Sequence, residues 1–357
     1  MKTIFKDLKV IELANVLAGP AVGMFFAELG ANVIKIENKL TNGDVTRSWK
    51  LASEDKNSKT SAYYSSVNWN KKSLFVDLIN EKEKKKVLAL IKNADIIISN
   101  YKKGDAEKLG MDYTSIKKIN PKIIYGHISG FGDNSSRTAF DIVLQAETGF
   151  MFMNGTPESG PIKLPVAIID LMAAHQLKEG ILVALIKRMK TGKGSKVSVS
   201  LFDSAIASLA NQASNWLMAN HNPQPIGSLH PNIAPYGELF ITKDNKQIVL
   251  AIGSDKQFRG LCEFLNKKEL TTNPLFISNA QRVKNRKELY LVLKNSFTDF
   301  DSKKIMKHFI SNNIPAGIIK SVKEVFETND LSSNILSSNE NKRKNERVNS
   351  VVFKIGK

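Results

Sequence analysis

Residues 8–37 read LKVIELANVLAGPAVGMFFAELGANVIKIE, and this stretch decides the fold class. Residues 8–13 alternate apolar with polar side chains, the period of a strand. Pro20, with no N–H to satisfy and a fixed φ, suits the start of a helix that runs through Leu29 and is closed by Gly30. Residues 32–37, NVIKIE, read as the next strand. Strand, helix and strand make a βαβ unit, with a turn at the carboxyl end of the first strand, where open α/β sheets bind ligands. That turn, NVLAGP, has a single glycine before the helix and fails the G-x-G-x-x-G test of dinucleotide folds, although Glu37 lies near where a ribose-binding acid would sit. A Rossmann-type dehydrogenase is an alternative that this turn opposes.

The same alternation continues outward. Residues 73–78 form a strand, Asn80 caps a helix to Asn93, and residues 95–99 (DIIIS) form a buried strand leading into Asn100, Tyr101 and Lys102. Residues 122–129 and 196–201 add two strands, and a long helix is predicted from about Asp203 to Asn220. From His221 the texture changes to HNPQPIGSLHPNIAPYG, a linker or active-site loop. Beyond it come a hairpin turning at Lys243–Lys246, helices near 255–265, 280–297 and 301–312, and a short strand after Pro315. The division is a large domain over 1–220, a small α+β domain over 221–325 and a tail over 326–357. No internal repeat is visible.

One carboxylate stands out. Pro165 and the run VAII deliver the chain to Asp170, after which Leu171, Ala174, Leu177, Ile181, Leu185 and Met189 recur at helical spacing. At a helix N-terminus Asp170 reads either as the N-cap or as a nucleophile kept ionised by the helix dipole and unpaired N–H groups.

The 357 residues, 42% hydrophobic, are ordinary for a soluble globular protein. No apolar run is long enough to span a bilayer, and MKTIFKDLK at the start lacks the apolar centre of a signal peptide, so a cytoplasmic location is expected. The single Cys262 reads as a helix face packed inward and excludes an internal disulfide or a cysteine metal site. The net charge of +18 is dispersed over lysines, as in EKEKKK at 81–86 and NKRKNER at 341–347, with little aromatic interleaving. That pattern reads as a solvated surface with neither a nucleic acid nor a membrane as partner, and it suits an anionic ligand.

The opening stretch, GDVTRSW, NKKSLFVDL, DIIISNYKKGDAEKLGM, PKIIYGHISGFG, FDIVLQAETGFM and the Asp170 helix ending in RMKTGKGSKVSVSLFDS follow in order. In that order and spacing the chain resembles the family III CoA-transferases, which include the formyl-CoA:oxalate and carnitine enzymes, from about Leu8 to about Phe326. The resemblance implies a Rossmann-like large domain with a smaller α+β domain and two subunits interlocked as rings. It implies CoA transfer between carboxylic acids through an aspartyl-CoA thioester, with no metal and with Asp170 as both cap and nucleophile. Coenzyme A contacts fall by resemblance on Val16, Ala18, Asn38, Val76, Leu78, Asn100, Tyr101, Lys102, Lys108 and Arg137. Asn15 and Asn38 stand where some relatives carry His and Arg, which shifts phosphate binding toward Lys39, Lys71, Lys72 or Lys108. Racemisation of 2-methylacyl-CoA, the family's other chemistry, needs a histidine where this chain has Phe140, while His127 reads as structural. Residues 230–258 and 281–297 most resemble members acting on small dicarboxylic acids such as succinate. Arg282 and Arg286 are expected to be surface charges. After Phe326 the resemblance weakens, because the family's proline-rich segment and final helix are missing.

Overall fold

The computed structural model describes residues 3–340 and 343–356. Met1, Lys2, the first two residues of the basic run at 341–347 and Lys357 lie outside them. Six parallel strands form the main sheet: β1 (Lys9–Leu13), β2 (Asn32–Asn38), β3 (Lys72–Val76), β4 (Ile96–Ser99), β5 (Ile124–Ser129) and β6 (Ser195–Ser200). Their order is β3-β2-β1-β4-β5-β6, the doubly wound Rossmann order. The interior position of β4 explains its sequence: IIIS is buried at all four residues, as a parallel strand covered on both faces must be.

Helices cover both faces. On one, α1 (Ala18–Glu28) is buried along its whole length and shares a core with the later, longer helix of residues 168–191. On the other, α2 (Glu81–Lys92), capped by the Asn80 side chain, and α3 (Tyr113–Ile119) bury Val87, Ile91 and Ile116. Then come α4 (Asp141–Glu147), α5 (Ile168–Thr191), α6 (Leu201–Ala207) and α7 (Asn211–Ala219). The long helix expected over 203–220 is thus two helices. The chain breaks at Ala210, whose φ of 48° takes the backbone out of the helix, and α6 buries Leu201 and Ala205 whereas α7 buries no residue.

By contacts the chain divides into two compact units, Met1–Pro225 with Ser332–Lys357, and Ile226–Leu331. Within the first, the tail is tied to α1: both carboxylate oxygens of Glu28 accept from Ser350 N–H, and Val351 N–H and Ser350 Oγ–H complete the set at 2.9 Å each. The second unit is an antiparallel sheet of Tyr236–Ile241, Gln247–Ala251 and Ala316–Ile318 with a core of its own that includes Cys262. Burial pushes that thiol up to about 12. The single helix predicted over 280–297 is interrupted at Asn285, and the two arginines on it are not surface charges. Arg282 is 1% exposed, donating to Ala234 O, Phe276 O and Asp255, and Arg286 ties Glu238 to the carbonyls of His230 and Ile233. Pattern alone misplaced them because most of their partners, backbone carbonyls and the carboxylates of Asp255 and Glu238, come from distant parts of the chain.

Candidate active site

In a doubly wound sheet the loops after β1 and β4 diverge to opposite faces and leave a crevice at the strands' carboxyl ends. A cleft of about 760 Å³, part of it open to solvent, lies there. It is lined by Asn15–Ala18 after β1, Asn100–Lys103 after β4, parts of the loop after β5, and Asp170. The two diverging loops are stitched together: Asn15 N–H donates to Asn100 Oδ1 at 3.0 Å and Asn100 Nδ2 donates to Asn15 O at 2.9 Å.

Asp170 sits in the first turn of α5, but it is not the cap. Ala167 occupies that position without a side-chain bond, and Asp141 of α4 takes the role from outside, accepting Ile169 N–H at 2.8 Å. The other Asp141 oxygen accepts Gln145 Nε2 at 2.6 Å, while Gln145 Oε1 accepts Leu164 N–H at 2.8 Å. Asp141 and Gln145 thereby hold the segment that enters α5. Asp170 is 8% exposed, and burial, followed by the charge of Asp141, raises its pKa to about 7. Desolvation and a like charge thus oppose the ionised form that the helix N-terminus is expected to favour. Near neutrality such a carboxyl is about half ionised, and its anion is more basic than a free carboxylate.

Of the residues singled out from sequence, Val16, Ala18, Asn100, Tyr101, Lys102 and Arg137 line this cleft with Asp170. Asn38 and Val76 pair in register at the ends of β2 and β3, with Leu78 just beyond, and Lys108 lies on the short helix Asp105–Leu109; none of these lines it. Lys102 donates to Thr138 Oγ1 at 2.9 Å, and Arg137 makes a two-pronged pair with Glu147. Lys71 is not free to hold phosphate as expected, whereas Lys39 stays partly exposed. Lys71 is buried against Glu12, Pro20 O and Asn68, and Lys39 pairs with Glu83.

Phe140 and His127 both line the cleft. His127 Nδ1 is buried without a hydrogen-bond partner, Nε2 is 3.7 Å from Asp133, and burial lowers its pKa. Glu37 is spoken for: Arg47 binds both its oxygens at 2.6 and 2.7 Å, and Asp44 N–H adds a third bond. Although burial alone would raise it, those partners hold its pKa at about 2, and with both oxygens engaged it is not available to a ribose hydroxyl.

Sequence reading passed over Tyr63. Its pKa is pushed up to about 12 by burial and then by the charges of Asp170, Asp141 and Asp44. Trp49 of GDVTRSW meets its ring edge-on at 5.1 Å. Three aromatic residues, Trp49, Tyr63 and Tyr64, in a mostly polar stretch were the available signal.

The sequence profile described as CoA-transferase family III matches residues 5–356. Succinate–glutarate CoA-transferase of Agrobacterium fabrum is 36% identical over 331 residues, 91% of this chain and 82% of its own length. The human succinyl-CoA:glutarate CoA-transferase is 35% identical, with 90% and 73% covered. Among solved structures, a CaiB/BaiF family protein from Brucella suis superposes with a TM-score of 0.87 at 34% identity, covering 99% of this chain and 93% of that one.

Proposed function

This chain belongs to CoA-transferase family III, and on that premise we propose that it moves CoA from an acyl-CoA to a small dicarboxylic acid through an aspartyl-CoA thioester on Asp170. The observation that carries the reading is Asp170 itself: a buried carboxyl on the cleft wall whose pKa lies near neutrality. Its anion attacks the thioester carbonyl, the C–S bond breaks, and CoA leaves as thiolate from a mixed anhydride. The thiolate then attacks the aspartyl carbonyl, releasing the donor acid as its carboxylate and leaving Asp170 as the CoA thioester. The acceptor carboxylate runs the same two steps in reverse and restores Asp170.

The relatives' names, two of them for succinate and glutarate, support a dicarboxylate as acceptor. For CoA, the cleft residues Val16, Ala18, Asn100, Tyr101, Lys102 and Arg137 would serve the thioester end. Asn38, Val76, Leu78 and Lys108 would serve the nucleotide end along the same carboxyl edge of the sheet. The working unit is read as an interlocked homodimer in the cytoplasm. Apolar faces left uncovered on α5 (Val183, Ile186, Met189) and α7 (Trp216, Leu217, Met218) support a second copy as their cover.

Hydroxylamine provides the test, because both the anhydride and the thioester are electrophilic. With succinyl-CoA the wild-type peptide containing Asp170 should gain a hydroxamate, and Asp170→Asn should gain none and lose transfer. Normal turnover in Asp170→Asn with no adduct in wild type would sink the reading. Rapid exchange of the α-hydrogen of a 2-methylacyl-CoA in deuterated water would point to racemisation instead.

A further inference from the structure

We propose that Asp44 is a positioning residue of the transfer site, holding Val16 in a left-handed backbone conformation and so fixing the cleft wall that shares a pocket with Asp170. The inference rests on the transferase reading given above. Val16 has a φ of 71°, a region that a β-branched residue enters only at a steric cost. Its N–H lies against both oxygens of Asp44, at 3.2 and 3.4 Å. The rest of the loop is gripped on either side. Ala14 O accepts Lys35 Nζ at 2.6 Å, Asn100 brackets Asn15, and Pro20 O accepts Lys71 Nζ at 2.8 Å.

These grips belong to one buried cluster. Lys35 lies 3.0 Å from both Asp44 and Glu12, Lys71 lies 2.7 Å from Glu12, and the four side chains are at most 1% exposed. Thr46 gives Asp44 two further bonds, from N–H at 3.0 Å and from Oγ1 at 2.8 Å. Gly23 lets α1 close onto the cluster, since a Cβ there would fall 1.8 Å from Glu12 Oε2. Two ammoniums and two carboxylates have no net charge, and packing alone would be served as well by apolar side chains. What apolar groups could not supply is an acceptor for the amide of a strained residue. That residue, Leu17 and Ala18 line the cleft with Asp170, and the α1 N-terminus to which they lead has no side-chain cap. Strain held in place by its surroundings and located at the site is the mark of a positioning device.

The test is the rate at which succinyl-CoA and hydroxylamine label Asp170, read beside thermal melting. Wild type comes first: no labelling there overturns the transferase reading and this inference with it, before any variant is compared. In the Val16 background, Asp44→Asn sets an amide NH₂ against either the Lys35 ammonium or the Thr46 N–H, and labelling should slow about twentyfold. Glycine adopts positive φ without steric cost, so in a Val16→Gly background the same Asp44→Asn change should cost less than about threefold. An equal factor in both backgrounds, or no loss in either, would overturn the proposal. Should Asp44→Asn not fold, Val16→Pro removes the amide and forbids the positive φ while leaving the buried charges intact. Labelling of the folded protein should then fall about a hundredfold, with melting lowered by the forced change of backbone; wild-type labelling, or loss of the fold, would refute a positioning role.

Discussion

Asp170 holds two properties in tension, since burial that makes its carboxylate reactive also makes that carboxylate costly to keep. With a pKa of about 7 for Asp170, transfer should follow an acid limb with its midpoint near there and reach a plateau above it. Stability runs the other way. A folded-state pKa raised above the ordinary 3.8 contributes stability that is complete below about 3.8 and is lost as pH rises through about 7. Asp170→Asn removes the group, so it should gain stability over wild type at about pH 8, by up to roughly 4 kcal/mol, and little at about pH 4. Denaturant unfolding at the two pH values checks this, and an equal difference at both would mean that Asp170 is not buried as an acid.

Between elements, α4 prepares α5 for its task. Asp141→Asn can keep its bond to Ile169 N–H only by turning its NH₂ toward Gln145 Nε2, and Gln145 cannot flip because its oxygen serves Leu164. The mutant should lose about 1–2 kcal/mol of stability. It should also shift the acid limb of the rate profile below pH 7, because the like charge that raises Asp170 is gone. A shift toward higher pH would show instead that Asp141 acts on Asp170 through geometry. The tail offers a second test at this scale. Glu28→Ala removes the acceptors of Ser350 and Val351, and the apolar remainder is the contact of Phe25 with Phe353 at 6.5 Å and the packing of Leu336 and Val351 against the core. Limited proteolysis should then cut after residue 332 several times faster, with the melting point of the large unit little changed.

For the whole molecule, the apolar side chains exposed on α5 and α7 are the observation behind the proposed second copy. Met189 and Met218 are 86% and 87% exposed in a single chain. If two copies interlock as proposed, light scattering should give twice the 39.6 kDa chain mass at all accessible concentrations, because such subunits do not part by dilution. A mass of one chain would refute interlocking. Polar substitution of Leu217 and Met218 should then lower the yield of folded dimer while leaving far-UV helix content unchanged in what remains.

How much of this was legible before folding depends on the range of the interaction involved. Strands, helices and the parallel sheet were written locally, because side-chain period, Pro20, Gly30 and Asn80 act within a few residues of themselves. The order of motifs suggested by resemblance the role proposed for Asp170, and its place in the first turn of a helix was also local. Its ionisation was not, because the burial and the Asp141 charge that set it come from packing between distant segments. The same holds for Arg282 and Arg286, surface charges by pattern and buried structural ties in fact, and for Lys71, which the buried Glu12 claims. Val16 makes the point most sharply: nothing in NVLAGP predicts a valine at positive φ, and it takes Asp44, brought close by the β2 connection, to hold it there. Local sequence determines conformational preference; only the assembled fold supplies the desolvation, charge and strain that turn a preference into a site.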